Sequence, residues 1–293
     1  MFLDVLGKLN FHPTDLCDIP LLPVSAFKKN SIKSGNYKAE IEYLSSTTSG
    51  GVPSRHLVRS KQWYVDNAIH CFETNYGDIA NYAFFGLLPS YLERSGSSLI
   101  EMTNTFIQQS GYPGSGFFLN DFESLHKELS LAKENNEPAI FLGVSYALLD
   151  FAEQYPIDLA GMIIMETGGM KGRRKEMPRA ELHNHLIERF NVSAIHSEYG
   201  MTELLSQAYS KGHGIFKATS RMKILCKQIT DPLEEELIEK SGLIGVVDLA
   251  NIDSCAFLLT DDLGRKIDST HFEVIGRTDH SEIRGCNLMV SDL

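Results

Sequence analysis

Short apolar runs of β character alternate along much of the chain with stretches whose apolar residues recur at helical spacing. Residues 139–144 (AIFLGV) and 161–165 (GMIIM) are apolar and bounded by turn formers, the pattern of buried strands. Residues 145–154 fit a helix between them. Farther on, Pro178 stands at an early helix position, Leu182, Leu186 and Phe190 keep helical spacing, and residues 192–195 turn strand-like. Strand, helix and strand in succession predict an α/β fold, a sheet covered by helices. The texture changes near Gly242, where 243–249 and 255–259 read as β segments and Asp261-Asp262-Leu263-Gly264 as a hairpin turn. The expected organisation is an α/β core over residues 1–241 and a smaller β-rich subdomain over 242–293. The acidic run 233–240 (LEEELIEK) reads as a solvated helix face.

With 293 residues and 43% hydrophobic content, the chain can bury one large core or two moderate ones. No run approaches the ~20 apolar residues of a membrane span. The first ten residues carry Asp4 and Lys8 and no long apolar stretch, so no secretory leader is expected and a cytoplasmic location follows. Cys17, Cys71, Cys226, Cys255 and Cys286 are odd in number and never in CxxC spacing, which argues against a disulfide framework or a structural zinc site. A net charge of −11 makes nucleic acid an unsuitable partner, and solubility accounts for it.

Three constellations carry chemistry. Ser45-Ser46-Thr47-Thr48-Ser49-Gly50-Gly51-Val52-Pro53-Ser54-Arg55 follows the strand-like Ile41-Glu42-Tyr43-Leu44. Glycines admit backbone N–H groups to an anion, hydroxyls add donors and Arg55 adds charge, a combination suited to polyphosphate. It lacks the Walker A order, and a flexible Ser/Thr/Gly linker has the same composition. His196-Ser197-Glu198-Tyr199-Gly200-Met201-Thr202-Glu203 follows the second strand–helix unit. There a hydroxyl and a carboxylate at a strand's carboxyl end suit a phosphate and a magnesium ion, or form a turn with Thr202 as a helix N-cap. Thr260-Asp261-Asp262-Leu263-Gly264-Arg265, Gly276-Arg277-Thr278-Asp279 and Ile283-Arg284-Gly285-Cys286-Asn287 suit ribose hydroxyls and phosphate, though the first two are also ordinary turn sequences.

Together, in this order, these motifs resemble the adenylate-forming superfamily of acyl-CoA synthetases and related ligases. Ser46 to Pro53 looks like its phosphate loop, Tyr199-Gly200-Met201-Thr202-Glu203 matches its YGxTE motif, Thr260-Asp261-Asp262 resembles its TGD motif, and Gly276-Arg277-Thr278-Asp279 matches its GRxD hinge. Within it the chain is most similar to the acyl-protein synthetases of bacterial fatty acid reductase systems known from bioluminescence, from Ile19-Pro20-Leu21-Leu22-Pro23 to Arg284-Gly285-Cys286-Asn287-Leu288-Met289. The resemblance implies ATP and Mg2+, a fatty or other carboxylic acid substrate, and an acyl group held on Cys286 for a partner reductase, acyltransferase or carrier protein. It assigns Ser46, Thr47, Thr48, Ser49, Gly50, Gly51 and Arg55 to the triphosphate and Thr202 to the α-phosphate. Glu203 falls to magnesium, Asp262 and Arg277 to the ribose, Glu166-Thr167-Gly168-Gly169 to the segment along the adenine with Tyr199 as its stacking partner, and Gly200 to the ATP site. It implies an adenylate-forming large domain of helix-covered sheets, but the chain departs from the superfamily in having only sixteen residues after Arg277, so the full mobile C-terminal domain and its catalytic lysine are not expected, a truncation the shorter acyl-protein synthetases share.

Two departures qualify the match. Thr48 stands where the family commonly has glycine, and Arg55 stands near the place of a terminal lysine. Two other functions fit the same motifs: an acyl-CoA or acyl-carrier-protein ligase in which Cys286 is a buried small hydrophobe, and a non-catalytic nucleotide- or acyl-binding protein. The apolar stretches Tyr82-Ala83-Phe84-Phe85-Gly86-Leu87-Leu88 and Gly143-Val144-Ser145-Tyr146-Ala147-Leu148-Leu149 read as core, with an acyl pocket as the alternative.

Overall fold

The computed structural model describes residues 14–46, 51–89, 96–170, 174, 177–234 and 238–278. Its strands are β1 (Leu22–Pro23), β2 (Ile41–Leu44), β3 (Arg55–Val58), β4 (Ala83–Leu87), β5 (Gly116–Phe117), β6 (Ala139–Val144), β7 (Ile163–Thr167), β8 (Ile195–Tyr199), β9 (Ala208–Ser210), β10 (Ile215–Lys217), β11 (Met222–Lys227), β12 (Ser241–Asp248), β13 (Phe257–Lys266) and β14 (His271–Arg277). Its helices are α1 (Lys61–Tyr76), α2 (Ser98–Ser110), α3 (Phe122–Glu134), α4 (Ser145–Gln154) and α5 (Arg179–Phe190).

Strands β5, β4, β6, β7 and β8 run parallel and side by side. Parallel strands need crossovers, and the crossover helices cover both faces, so alternate residues of each strand enter different cores. Phe85, Leu87 and Phe141 pack with Leu125 and Leu129 of α3, Leu148 and Phe151 of α4 and Leu186 and Phe190 of α5. Their neighbours Phe84, Ile140 and Leu142 pack with Tyr64 and Phe72 of α1 and Met102 and Phe106 of α2. The apolar stretches around 82–88 and 143–149 are therefore core, buried on both sides of the sheet.

Beyond β8 the sheet changes character. Strand β9 pairs antiparallel with β8, then β10, β14, β13, β12 and β11 follow in antiparallel order, and β1 adds to β13 in parallel. Strands β12 to β14 thus hydrogen-bond into the same sheet as β7 and β8. Hairpin β2–β3 forms a separate two-stranded sheet.

Two local expectations are overturned. Asp261 to Gly264 is not a hairpin turn but the middle of β13, and the turn falls at 267–270, where Asp268 accepts from the Thr270 and His271 N–H groups at 2.7 and 2.8 Å. Gly264 is there for proximity, since a Cβ would run into the Glu273 carbonyl oxygen of the partner strand beside a register shift. The acidic run is no helix in its described residues: 233–234 and 238–240 are turns and bends joining β11 to β12. Leu233 and Ile238 are exposed, and Lys227 Nζ donates to the Leu233 carbonyl at 3.0 Å.

Candidate active site

Of the described residues singled out in the sequence, Gly168, Gly169, Tyr199 and Gly200 lie at the carboxyl ends of β7 and β8, Thr202 and Glu203 follow β8, and Asp262 and Arg277 stand on β13 and β14. This is the place where open α/β sheets bind ligands. Strand β7 delivers Glu166 and Thr167, then Gly168 and Gly169. Gly168 takes φ +68, a conformation that favours glycine, and no heavy atom lies within 4 Å of where a Cβ on Gly169 would stand.

Strand β8 delivers Glu198 and Tyr199 and runs into the irregular segment from Gly200 onward. The Thr167 hydroxyl donates to the buried Glu198 carboxylate. Burial pushes that carboxyl up to about 7 against this hydrogen bond, and the neighbouring Glu166 adds to the rise. Gly200 has no room for a Cβ because the Glu198 carboxylate occupies the space. Glu166 is treated differently. Burial pushes it up, but the His183 hydrogen bond and the Arg179 charge outweigh burial and hold it below its ordinary value. The contacts are Nε2 of His183 and Nε of Arg179, at 3.4 and 3.3 Å from Oε1, with the Ser145 hydroxyl donating to Oε2 at 3.1 Å.

The Tyr199 ring packs edge-on against Phe216 and Phe272, with centroids 5.8 and 5.5 Å away, and its hydroxyl donates to Asp262 Oδ2 at 2.9 Å. Burial raises the Asp262 carboxyl, opposed by this hydrogen bond and by Arg277. Arg277 is exposed, with Nε 3.9 Å from Asp262 and Nη2 3.7 Å from Asp261. Tyr199, Asp262 and Arg277 therefore form one group.

The hydroxyl-rich loop meets the Thr202-Glu203 pair at its far end. It is pinned at its base, where the Ser54 N–H donates to Ser45 Oγ at 2.8 Å and the Ser45 N–H to the Ser54 carbonyl at 3.1 Å. Burial raises the Glu203 carboxyl, and a hydrogen bond with the Ser54 side chain opposes the rise. Ser46 and Gly51 are exposed, while Thr47, Thr48, Ser49 and Gly50 lie outside the described residues, as does Cys286. Arg55 is exposed, is the first residue of β3 and pairs with Glu42 across the hairpin.

The sequence did not show the pairings of Glu198 with Thr167 and of Glu166 with His183, nor His56, Asp248 and Asn251 behind Thr202 and Glu203. The signal for His56 was its phase. In Arg55-His56-Leu57-Val58 the buried positions are His56 and Val58, so a polar residue occupies an inward strand position.

No protein-family model matches the chain, and a search of curated proteins finds no match. Solved structures do match. ATP-bound MatB from Rhodopseudomonas palustris superposes with a TM-score of 0.60 at 14% identity, over 83% of this chain and 49% of that one. A 2-hydroxyisobutyryl-CoA ligase in its postadenylation state, in complex with R3-HIB-AMP, gives 0.65 at 12% identity over 93% and 62%. The luciferase-like enzyme from the nonluminescent mealworm Zophobas morio gives 0.52 at 15% identity over 84% and 60%. The chain spans about half to two thirds of the length of these proteins and shares their α/β fold. Among the described residues no helix is long and apolar enough to cross a membrane.

Proposed function

We propose that the chain activates a carboxylic acid with ATP and passes the acyl group to a thiol. The observation that carries this reading is the tie between β3, which follows the hydroxyl-rich loop, and the YGMTE segment, with His56 Nδ1 lying 2.7 Å from the Thr202 carbonyl oxygen. On this reading the loop's candidate phosphate donors and the candidate metal carboxylate serve one site beyond the end of β8. Structural neighbours solved with bound ATP and with an AMP conjugate support it.

The residues divide by chemistry. Asp262, held by the Tyr199 hydroxyl, accepts from the two ribose hydroxyls, and Arg277 supplies charge beside it. The open face of Gly169 after the left-handed Gly168 leaves room for a flat base. The Thr202 hydroxyl and the loop donors face the phosphates. The donor set fits magnesium, which keeps several waters and takes one or two protein carboxylates plus phosphate oxygens, Glu203 being the carboxylate here. Among the described residues no group of three or more His, Cys, Asp or Glu could hold a metal by itself. Magnesium there would offset negative charge as phosphate oxygens separate.

In the reaction, a carboxylate oxygen of the acid bonds to the α-phosphorus and the bond to pyrophosphate breaks, giving an acyl-adenylate. The Cys286 thiolate then attacks the acyl carbon and AMP leaves, so the thioester forms without any redox step. The acyl group is fatty and its final acceptor a reductase, an acyltransferase or a carrier protein. Intact-mass measurement after incubation with ATP and a fatty acid should show one acyl adduct, absent in Cys286→Ser. An adduct that persists in Cys286→Ser, or acyl-CoA formed without any adduct, would make the chain a ligase for a separate thiol.

Tyr199→Phe tests the ribose end. The ring remains packed on Phe216 and Phe272 while Asp262 loses its donor, so ATP affinity should fall about tenfold, the worth of one hydrogen bond to a charged group, with thermal stability little changed. Unchanged affinity by calorimetry would remove Asp262 from the nucleotide site.

A further inference from the structure

The Thr202-Glu203 pair lies in a segment without regular structure, yet its backbone is tied at nearly every residue by buried side chains from elsewhere. His56 Nδ1 donates to the Thr202 carbonyl at 2.7 Å, and Asn251 Nδ2 donates to the Glu203 carbonyl at 2.8 Å. Asp248 Oδ2 accepts from the Leu205 and Ser206 N–H groups at 2.8 and 2.9 Å, and Oδ1 accepts from the Ser206 hydroxyl at 2.6 Å. His56, Asp248 and Asn251 are all buried. The imidazole Nε2 also lies 3.0 Å from Asn251 Oδ1, a contact that becomes a hydrogen bond only when the ring carries a second proton.

We infer that His56, Asp248 and Asn251 are positioning residues that hold Thr202 and Glu203 in register with β3, the strand that follows the hydroxyl-rich loop. Two features separate this from ordinary packing. Burying a carboxylate and an imidazole costs free energy that apolar residues of the same volume would not, so their presence reflects a demand for fixed polar geometry. His56 is also the second residue of β3, the strand that directly follows the hydroxyl-rich loop, so its bond to the Thr202 carbonyl joins that strand to the pair. Asp248 and Asn251 bracket the Leu249–Asn251 turn, and Asp248 caps it by accepting from the Ala250 N–H at 3.1 Å. Strand β3, the pair and this turn thereby become one unit. The inference rests on the proposed function for its catalytic meaning and on geometry alone for its structural meaning.

Asn251→Ala tests it, with Leu249→Ala as the control because Leu249 is exposed on the same turn. In Asn251→Ala, hydrogen exchange of the backbone over residues 201–207 should accelerate about tenfold while β4, β6 and β7 keep wild-type protection. In ATP–pyrophosphate exchange kcat should fall about tenfold with KM for ATP changed less than about twofold, because the loss falls on geometry and not on nucleotide binding. Leu249→Ala should leave both readouts unchanged. Wild-type protection over 201–207, or an acceleration spread uniformly through the chain, would overturn the assignment. If the wild-type protein exchanges no pyrophosphate, the proposed function fails while hydrogen exchange still decides the clamp. His56→Gln, read in the same way, serves where Asn251→Ala does not fold.

Discussion

Glu203→Gln is expected to lower carboxylate-dependent ATP–pyrophosphate exchange by about 100-fold, a loss of the size seen when one preorganised electrostatic contact is removed from a reacting centre. Glutamine keeps the length of the side chain and can still hydrogen-bond Ser54, so only the charge is lost. The fold should be unharmed, because burial already raises the Glu203 carboxyl and the neutral amide escapes that cost. The readouts are kcat, the magnesium dependence and a thermal melt. A fall in kcat with a weakened magnesium response and an intact melt fits a metal carboxylate. Full activity at ordinary magnesium would remove Glu203 from that role.

Glu198→Gln should change stability with pH instead of activity. The folded-state carboxyl is raised from 4.5 to about 7, so the folded protein binds more protons than the unfolded chain between those values. Its stabilising contribution is complete below about pH 4.5 and is lost as pH rises through 7, a loss on the order of 3 kcal/mol. Glutamine mimics the protonated acid and can still accept from Thr167. The variant should therefore match the wild type in urea at pH 5 and exceed it at pH 8 by up to that amount. His56 and His196, both lowered to about 4 by burial, titrate with the opposite sign below pH 6.5, but they are common to both proteins and cancel in the difference. A variant weaker than the wild type at both pH values would show that Glu198 is ionised in the fold.

These two carboxylates mark how far the sequence could be read. The buried strand at Ala139–Val144 and the helix at Ser145–Gln154 were legible because local pattern and tertiary burial agree there. The second strand–helix unit was legible in order but shifted in register. Strand β8 covers Ile195–Tyr199, and it carries Ser197 and Glu198, polar residues that an apolar-run reading excludes from a buried strand. Glu203, Tyr199, Asp262 and Arg277 could be proposed from the sequence because their motifs are contiguous. The ties from His56, Asp248 and Asn251 were not, because each joins residues between 42 and 195 positions apart and no local pattern encodes such a pairing. Asp261 to Gly264 failed for a related reason: turn-forming composition was outweighed by pairing on both sides, with β12 and β14.

ATP–pyrophosphate exchange measured across carboxylic acids of increasing chain length tests the central proposal most directly. Exchange that appears only with acid present, and is strongest with fatty acids, is the expected result. Exchange with no acid of the series, from protein that binds ATP, would contradict it and leave a nucleotide-binding protein without this chemistry.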